Sequence, residues 1–261
     1  MTNRAAQECL PQERHERILD VLKRDGRVVA QALAARFGVS EDSIRRDLRD
    51  MAARGLCRRV YGGALAPLSE VAPLAARIAT ADTARTTLAN HAATLVQTGQ
   101  IVLLDAGATN VEIARALRGK SITLVTNAPA VAAEVSGDAD TELIIIGGKV
   151  DARSGGAIGS QALQQLEAIQ PYVCIPGACA VEPELGIWGM ESEESAFKRA
   201  MIKASTTVVI VATDAKVGRR GNFRVAGLDQ VDHLVISDTV PDEMVARLAS
   251  HPISLHRVTT E

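Results

Sequence analysis

Residues 37–51 read Phe37-Gly38-Val39-Ser40-Glu41-Asp42-Ser43-Ile44-Arg45-Arg46-Asp47-Leu48-Arg49-Asp50-Met51. At about 100° per residue, Ile44, Leu48 and Met51 fall on one side of a helix, and Asp42, Ser43, Arg46, Arg49 and Asp50 fall on the other, with Arg45 at the flank. Ser40 is placed to cap that helix, because its hydroxyl can accept a free backbone N–H of the first turn. Gly38 permits the sharp turn before it. Upstream, Val29, Leu33 and Phe37 form the apolar face of a second short helix, and Ile18, Leu19 and Leu22 that of a third. Two helices joined by so tight a turn form a helix-turn-helix. After Gly55, residues 56–60 alternate apolar and basic and run into Tyr61-Gly62-Gly63-Ala64-Leu65, which predicts a small β-hairpin, or wing.

The outward face of the 41–51 helix is polar and rich in arginine. In a helix-turn-helix the second helix enters the DNA major groove, where Arg can bond guanine through both of its nitrogens and Ser can reach a base or a phosphate. Ser43, Arg45 and Arg46 suit those roles. Arg58 and Arg59 on the wing would neutralise phosphates, which adds affinity without sequence information. The bland alternative is a solvated helix face with pairs such as Asp42–Arg46. Helix, turn, helix and basic hairpin occurring together favour DNA.

Charge follows the same division. Residues 1–66 hold thirteen Lys/Arg against nine Asp/Glu, and the remainder holds sixteen against twenty-two, so a net of −2 hides a basic first segment on an acidic body. A DNA-packaging protein would need a more basic chain. With 261 residues, 47% hydrophobic and 23% charged, the composition is that of a folded globular protein of one or two domains. Six aromatic residues are too few for nucleic-acid binding by base stacking. No apolar run reaches the roughly 18 residues of a membrane span and no secretory signal opens the chain, so a cytoplasmic protein with no membrane partner is expected. Cys9, Cys57, Cys174 and Cys179 form no C-x-x-C pair; they are read as packing residues, and neither a metal nor a cofactor is expected.

Residues 67–76 contain two prolines and no periodicity, which predicts a linker between a domain at 10–66 and another at 77–258. Beyond it, β-branched runs at 101–104, 122–125, 143–146, 172–175, 208–211 and 234–236 alternate with helical stretches near 82–97, 110–118, 128–135, 160–169, 191–204 and 241–249. That alternation predicts an α/β domain around a mainly parallel sheet. Ligands of such sheets bind where strands end. At those ends stand Asp105-Ala106-Gly107-Ala108-Thr109-Asn110, Thr126-Asn127, Gly147-Gly148-Lys149 and Asp214-Ala215-Lys216. Small residues at a helix start let backbone N–H groups approach an anion, with Thr109 and the backbone after Gly107 holding a phosphate, Lys216 neutralising it and Asp105 accepting sugar hydroxyls.

The run 39–48 matches the V-S-x-x-T-I-R-R-D-L core of the DeoR family of bacterial transcription regulators, with Ser43 in place of Thr, and the chain resembles that family. Tyr61 stands where the family's R-V-H-G-G wing has His and can still donate to a phosphate. The DNA-contacting set is therefore Ser40, Asp42, Ser43, Arg45, Arg46, Arg49, Arg58, Arg59 and Tyr61. The second domain resembles the DeoR-type sensor, whose fold is related to ribose-phosphate isomerases. Its motifs correspond to Asp105, Gly107 and Thr109, with Asn110 where Thr is frequent; to Thr126-Asn127, Gly147-Gly148 and Gly177-Ala178; to Glu194, Lys198, Arg199 and Met201; and to Lys216. The resemblance implies a homo-oligomeric repressor, dimer or tetramer, of a carbohydrate operon. Its partners would be double-stranded operator DNA and a small phosphorylated sugar held by Asp105, Gly107, Thr109, Asn110, Thr126, Asn127, Gly147, Gly148, Lys149, Gly177, Glu194, Lys198 and Lys216.

The rival reading is a sugar-phosphate isomerase or deaminase fused to a DNA-binding segment. Such chemistry needs a positioned base. Where the related isomerases carry Asp-Gly-Ala-Asp, this chain reads Pro176-Gly177-Ala178-Cys179, without either carboxylate. Glu182, Glu184, Glu191, Glu193 and Glu194 read as an acidic loop and helix start, and Glu194–Lys198 at i,i+4 reads either as a helix surface pair or as part of a ligand site. No catalytic residue is expected.

Overall fold

A computed structural model describes residues 11–25, 27–65 and 72–260, which fall into two compact units divided between Val71 and Ala72. Cys9, the Arg58 side chain, residue 66 and residues 67–71 of the expected linker lie outside the described residues.

The first unit runs α1 (Pro11–Asp25), β1 (Arg27–Val29), α2 (Ala30–Phe37), α3 (Glu41–Ala53), β2 (Arg58–Val60) and β3 (Gly63–Leu65). Ile18, Leu22, Leu33, Ile44, Leu48 and Met51 are buried together, so the helical apolar faces meet as their spacing predicts. Ser40 caps α3 by accepting the Ser43 N–H at 3.2 Å, and Gly38 closes α2 in the left-handed region at φ 66°. Val29 departs from expectation: it is 52% exposed and belongs to β1, not to the buried face of α2. β1 pairs antiparallel with β3, making a three-stranded sheet in the order β1-β3-β2. Gly63 is needed there, since a Cβ would stand 2.0 Å from the Val28 carbonyl oxygen.

The second unit opens with α4 (Leu74–Ala79), so the last residues of the expected linker are helical; Leu74 is buried, and its N–H donates to the Arg153 carbonyl at 3.0 Å. There follow α5 (Thr83–Thr94), β4 (Ile101–Leu104), α6 (Ala108–Leu117), β5 (Ile122–Thr126), α7 (Pro129–Val135) and β6 (Thr141–Ile145). A small hairpin, β7 (Lys149–Val150) and β8 (Ala157–Ile158), leads to α8 (Ser160–Glu167) and β9 (Val173–Ile175). Then come β10 (Ala180–Glu182), β11 (Gly186–Gly189), α9 (Ser192–Ala204), β12 (Thr207–Ala212), a 3-10 turn (Asp214–Lys216), β13 (Phe223–Ala226), β14 (His233–Ser237), α10 (Asp242–Ala249) and β15 (Ser254–Val258).

Seven strands form one parallel sheet in the order β15-β14-β12-β9-β4-β5-β6, as the alternation of strands and helices requires. Both faces are covered by apolar clusters, one around Leu88, Val102, Leu104 and Ile113 and the other around Leu103, Phe197, Met201 and Ile210. Two parts had no signal in the sequence: the edge strand β15, and the antiparallel sheet β10-β11-β13. The chain proceeds outward from β4 to β6 on one side, then returns to β9 on the other side of β4 and proceeds through β12 and β14 to β15. The sheet's switch point lies between β4 and β9, at the carboxyl ends of the strands, which is where open α/β sheets take their ligands.

Candidate functional site

On the first unit, Arg46 and Arg49 stand exposed on the outer side of α3, one turn apart, and make no ion pair among the described residues. Arg45 is tied into the acidic first turn, donating to Glu41 Oε1 at 2.7 Å and standing 3.8 Å from Asp42 Oδ1, so the Asp42–Arg46 pair of the alternative reading does not form and Arg45 makes the pairs instead. The Ser43 hydroxyl lies 2.9 Å from that of Ser40, within the cap. On the wing, Arg59 is exposed and Tyr61 fully so. Cys57 is buried, with its thiol directed at the Leu48 carbonyl at 3.5 Å and burial pushing its pKa up, as befits a packing residue.

On the second unit, the carboxyl ends of β12, β9, β4 and β5, neighbours in that order, present Lys216, Gly177, Asp105 and Thr126-Asn127 along one end of the sheet. Asp105 is only 2% exposed. Its Oδ1 accepts from the Gly177 N–H and from Asn110 Nδ2, both at 2.7 Å, and its Oδ2 accepts from Lys198 Nζ at 2.5 Å. Lys198 also donates to Glu194 Oε1 at 2.6 Å. The surface-pair reading of Glu194–Lys198 is thereby corrected: Lys198 is 1% exposed, held at the end of β4 by a partner 93 residues away. Burial alone would lower the lysine's pKa, but Asp105 and Glu194 override it and hold the ammonium protonated well above its ordinary range. For Asp105 burial dominates and raises the carboxyl pKa against the pull of Lys198, and the nearby Glu194 carboxylate adds a smaller push in the same direction.

Asn110 and Thr126 are fully buried and serve the frame. Asn110 Nδ2 also donates to the carbonyls of Asp105 at 3.1 Å and Ile175 at 2.8 Å, bracing β4 against β9, while Thr126 Oγ1 accepts the Ala128 N–H at the start of α7. Asn127 donates to the Ala157 carbonyl at 2.7 Å and accepts that residue's N–H on its own carbonyl at the same distance, and its buried Oδ1 has no partner. Thr109 lies in the first turn of α6, whose cap, Gly107, supplies no side chain for the free N–H groups. Gly147 is held by Gln165 at 2.9 Å, and Gly148 and Lys149 are exposed, with Lys149 in the β7–β8 hairpin.

Lys216 is half-buried, and its pKa falls to about 8. Burial is the chief cause; Cys179 opposes it, and the positive charges of Arg77, Arg85 and Lys198 add to it. Arg77 and Arg85 were not foreseen. Arg77 begins one residue past the expected linker and Arg85 sits in what read as a plain helix, so neither carried a strand-end signal. The Arg85 guanidinium donates to the Arg77 carbonyl at 3.0 Å and to Asp82 at 3.1 Å, which fixes the α4–α5 corner. This end of the sheet thus has the N-terminus of α6 without a side-chain cap and, around Lys216, the field of Arg77, Arg85 and Lys198, a combination suited to an anion.

A winged helix-turn-helix with free arginines on its second helix, followed by a parallel-sheet unit with an anion-suited crevice, defines a ligand-responsive transcription regulator. The chain belongs to the DeoR family: the DeoR-like helix-turn-helix domain matches residues 14–70 and the DeoR C terminal sensor domain matches residues 80–238. It is 33% identical over 243 residues to the HTH-type transcriptional regulator GlpR of Haloferax volcanii, covering 88% of this chain and 91% of that one. It is 30% identical over 245 residues to the glycerol-3-phosphate regulon repressor of Escherichia coli K12, covering 93% and 97%. Among solved structures, ribose 5-phosphate isomerase A of Methanocaldococcus jannaschii superimposes with a TM-score of 0.39 at 13% identity, covering 51% of this chain and 53% of that one. Among the described residues no helix is long and apolar enough to cross a membrane.

Proposed function

We propose that this regulator is a cytoplasmic repressor of a carbohydrate operon, binding its operator as a homo-oligomer through α3 and the wing and responding to a phosphorylated sugar or related metabolite in the β4–β9 crevice. The observation that carries the effector class is Lys216 at the strand end, its pKa lowered chiefly by burial and further by the positive charges of Arg77, Arg85 and Lys198. An entering phosphate would relieve that repulsion and accept the free N–H groups of α6. The relatives' names as a regulon repressor and a regulator support the same reading. Against the isomerase alternative, the carboxylates nearest the crevice, Asp105 and Glu194, both hydrogen-bond Lys198, so neither is free to act as a base.

Thermal-shift screening with sugar phosphates tests this. A ligand at 100 times its Kd adds about 2.7 kcal/mol, or roughly 5–11 °C at about 2–4 °C per kcal/mol for a unit of this size. The hit should lower operator affinity roughly 5- to 150-fold, the range of a coupling of about 1–3 kcal/mol. Consumption of the ligand during incubation would move the reading to the enzyme, and silence across sugar phosphates, free sugars and sugar acids would sink it.

A further inference from the structure

In the first unit an ionic contact lies where the core is otherwise apolar. Asp47, in the middle of α3, is 6% exposed, and Arg14, on α1, is 7% exposed. Arg14 meets Asp47 with two parallel bonds, Nε to Oδ2 at 2.6 Å and one Nη to Oδ1 at 3.1 Å. His15 Nε2 joins Oδ1 at 3.1 Å, donating to a carboxylate that can only accept. The flanking residues Arg46 and Arg49 point the other way, into solvent.

We infer that Arg14 and Asp47 are positioning residues that fix the rotation of α3 about its axis, and hence the direction in which Arg46 and Arg49 approach base edges. The inference rests on the proposed operator binding through α3. Its physical basis is a contrast between two kinds of contact. Apolar packing around Ile44 and Leu48 is non-directional and tolerates sliding and small rotations, whereas a forked guanidinium–carboxylate contact has one geometry. A buried ion pair contributes little net stability against an apolar pair of similar volume, because both charges must leave water. The pair is therefore better explained by orientation than by stability. It also keeps the carboxylate of Asp47 turned away from the face that meets phosphates.

The two roles separate in the full-length protein carrying Arg14→Met with Asp47→Leu. Operator sequence is first obtained with the wild type by selection from random duplexes; then affinity for the selected duplex and for a scrambled one is measured at fixed salt, alongside thermal unfolding. The expected result is an unfolding temperature equal to or above that of the wild type and a discrimination ratio reduced at least about tenfold, the scale of one misread base pair. Arg14→Lys, which keeps the charge and loses the fork, should also lose discrimination, and it decides the matter if the double variant does not fold. Wild-type discrimination in the double variant, or in Arg14→Lys, would overturn the inference while leaving operator binding intact. Failure of the wild type to select any sequence would instead overturn operator binding itself, and the inference with it.

Discussion

Replacing Lys198 with Met should expose the energetics of the strand-end cluster. The substitution removes the ammonium that Asp105 Oδ2 meets at 2.5 Å and Glu194 Oε1 meets at 2.6 Å, while a linear apolar chain keeps most of the volume. Glu194 is half-buried and can turn to water, but Asp105, 2% exposed, cannot. Removing one partner of a buried pair costs about 3–5 kcal/mol, which at about 2–4 °C per kcal/mol lowers the unfolding temperature by roughly 6–20 °C. The pH dependence provides the sharper test. Burial already raises the Asp105 pKa against the pull of Lys198, so without the lysine the folded-state value rises further above the unfolded one. A group shifted in that direction contributes stability at low pH that is lost as pH climbs through the folded-state pKa. The deficit of Lys198→Met should therefore be large at pH 8 and shrink towards pH 5 in scanning calorimetry, and Asp105→Asn added to it should remove most of that pH dependence. A deficit that is constant with pH, or that grows on acidification, would refute the assignment of Asp105 as the stranded charge.

Arg46→Ala should cost about 1–3 kcal/mol on the selected operator and relax preference at one base pair, while Arg59→Ala should weaken all duplexes alike and reduce the salt slope by about one, both read from binding isotherms across salt. Gly63→Ala places a methyl group 2.0 Å from the Val28 carbonyl oxygen and should destabilise the first unit by about 1–3 kcal/mol, seen as earlier loss of its calorimetric transition. Because the Lys216 pKa lies at about 8, affinity for a sugar phosphate should fall between pH 7 and 9 as the ammonium loses its proton, and binding at pH 8 should take up protons; in Lys216→Met, titration calorimetry should show neither effect.

How far the sequence could be read depended on whether a contact was local. Ile44, Leu48 and Met51 share a helix face through spacing alone, and Ser40 caps the same helix, so the start of α3 was legible, while its end at Ala53 lies two residues beyond the last apolar position. Most strands of the parallel sheet announced themselves as β-branched runs such as 208–211, within the strand Thr207–Ala212. β1 is three residues long and exists because the wing lies beside it, and β15, Ser-Leu-His-Arg-Val, is a half-exposed edge with no apolar run. For the site, the strand ends indicated where Asp105, Asn127 and Lys216 stand but not what they touch. Lys198 looks like half of an ordinary i,i+4 pair until the fold brings Asp105 onto it, and Arg77 and Arg85 join the crevice only through the corner between two helices. Asp47 sits in a helix full of exposed charges and gives no local sign that Arg14 buries it.

The small sheet of the first unit has a consequence for the DNA that the protein can recognise. β3 pairs with β1 on one side and β2 on the other, and the Ala30 N–H at the start of α2 donates to the Gly62 carbonyl in the wing turn at 2.8 Å. The tip of the wing is thus hydrogen-bonded to the root of the helix-turn-helix. With Arg46 on bases and Arg59 on phosphates, as proposed, the spacing between the two contacts would be set by the protein, a calliper of fixed opening. On that proposal, duplexes whose groove width matches the opening would be bound without being bent and others would have to be deformed to fit, so base pairs that no side chain touches would acquire a voice in which sequences are chosen.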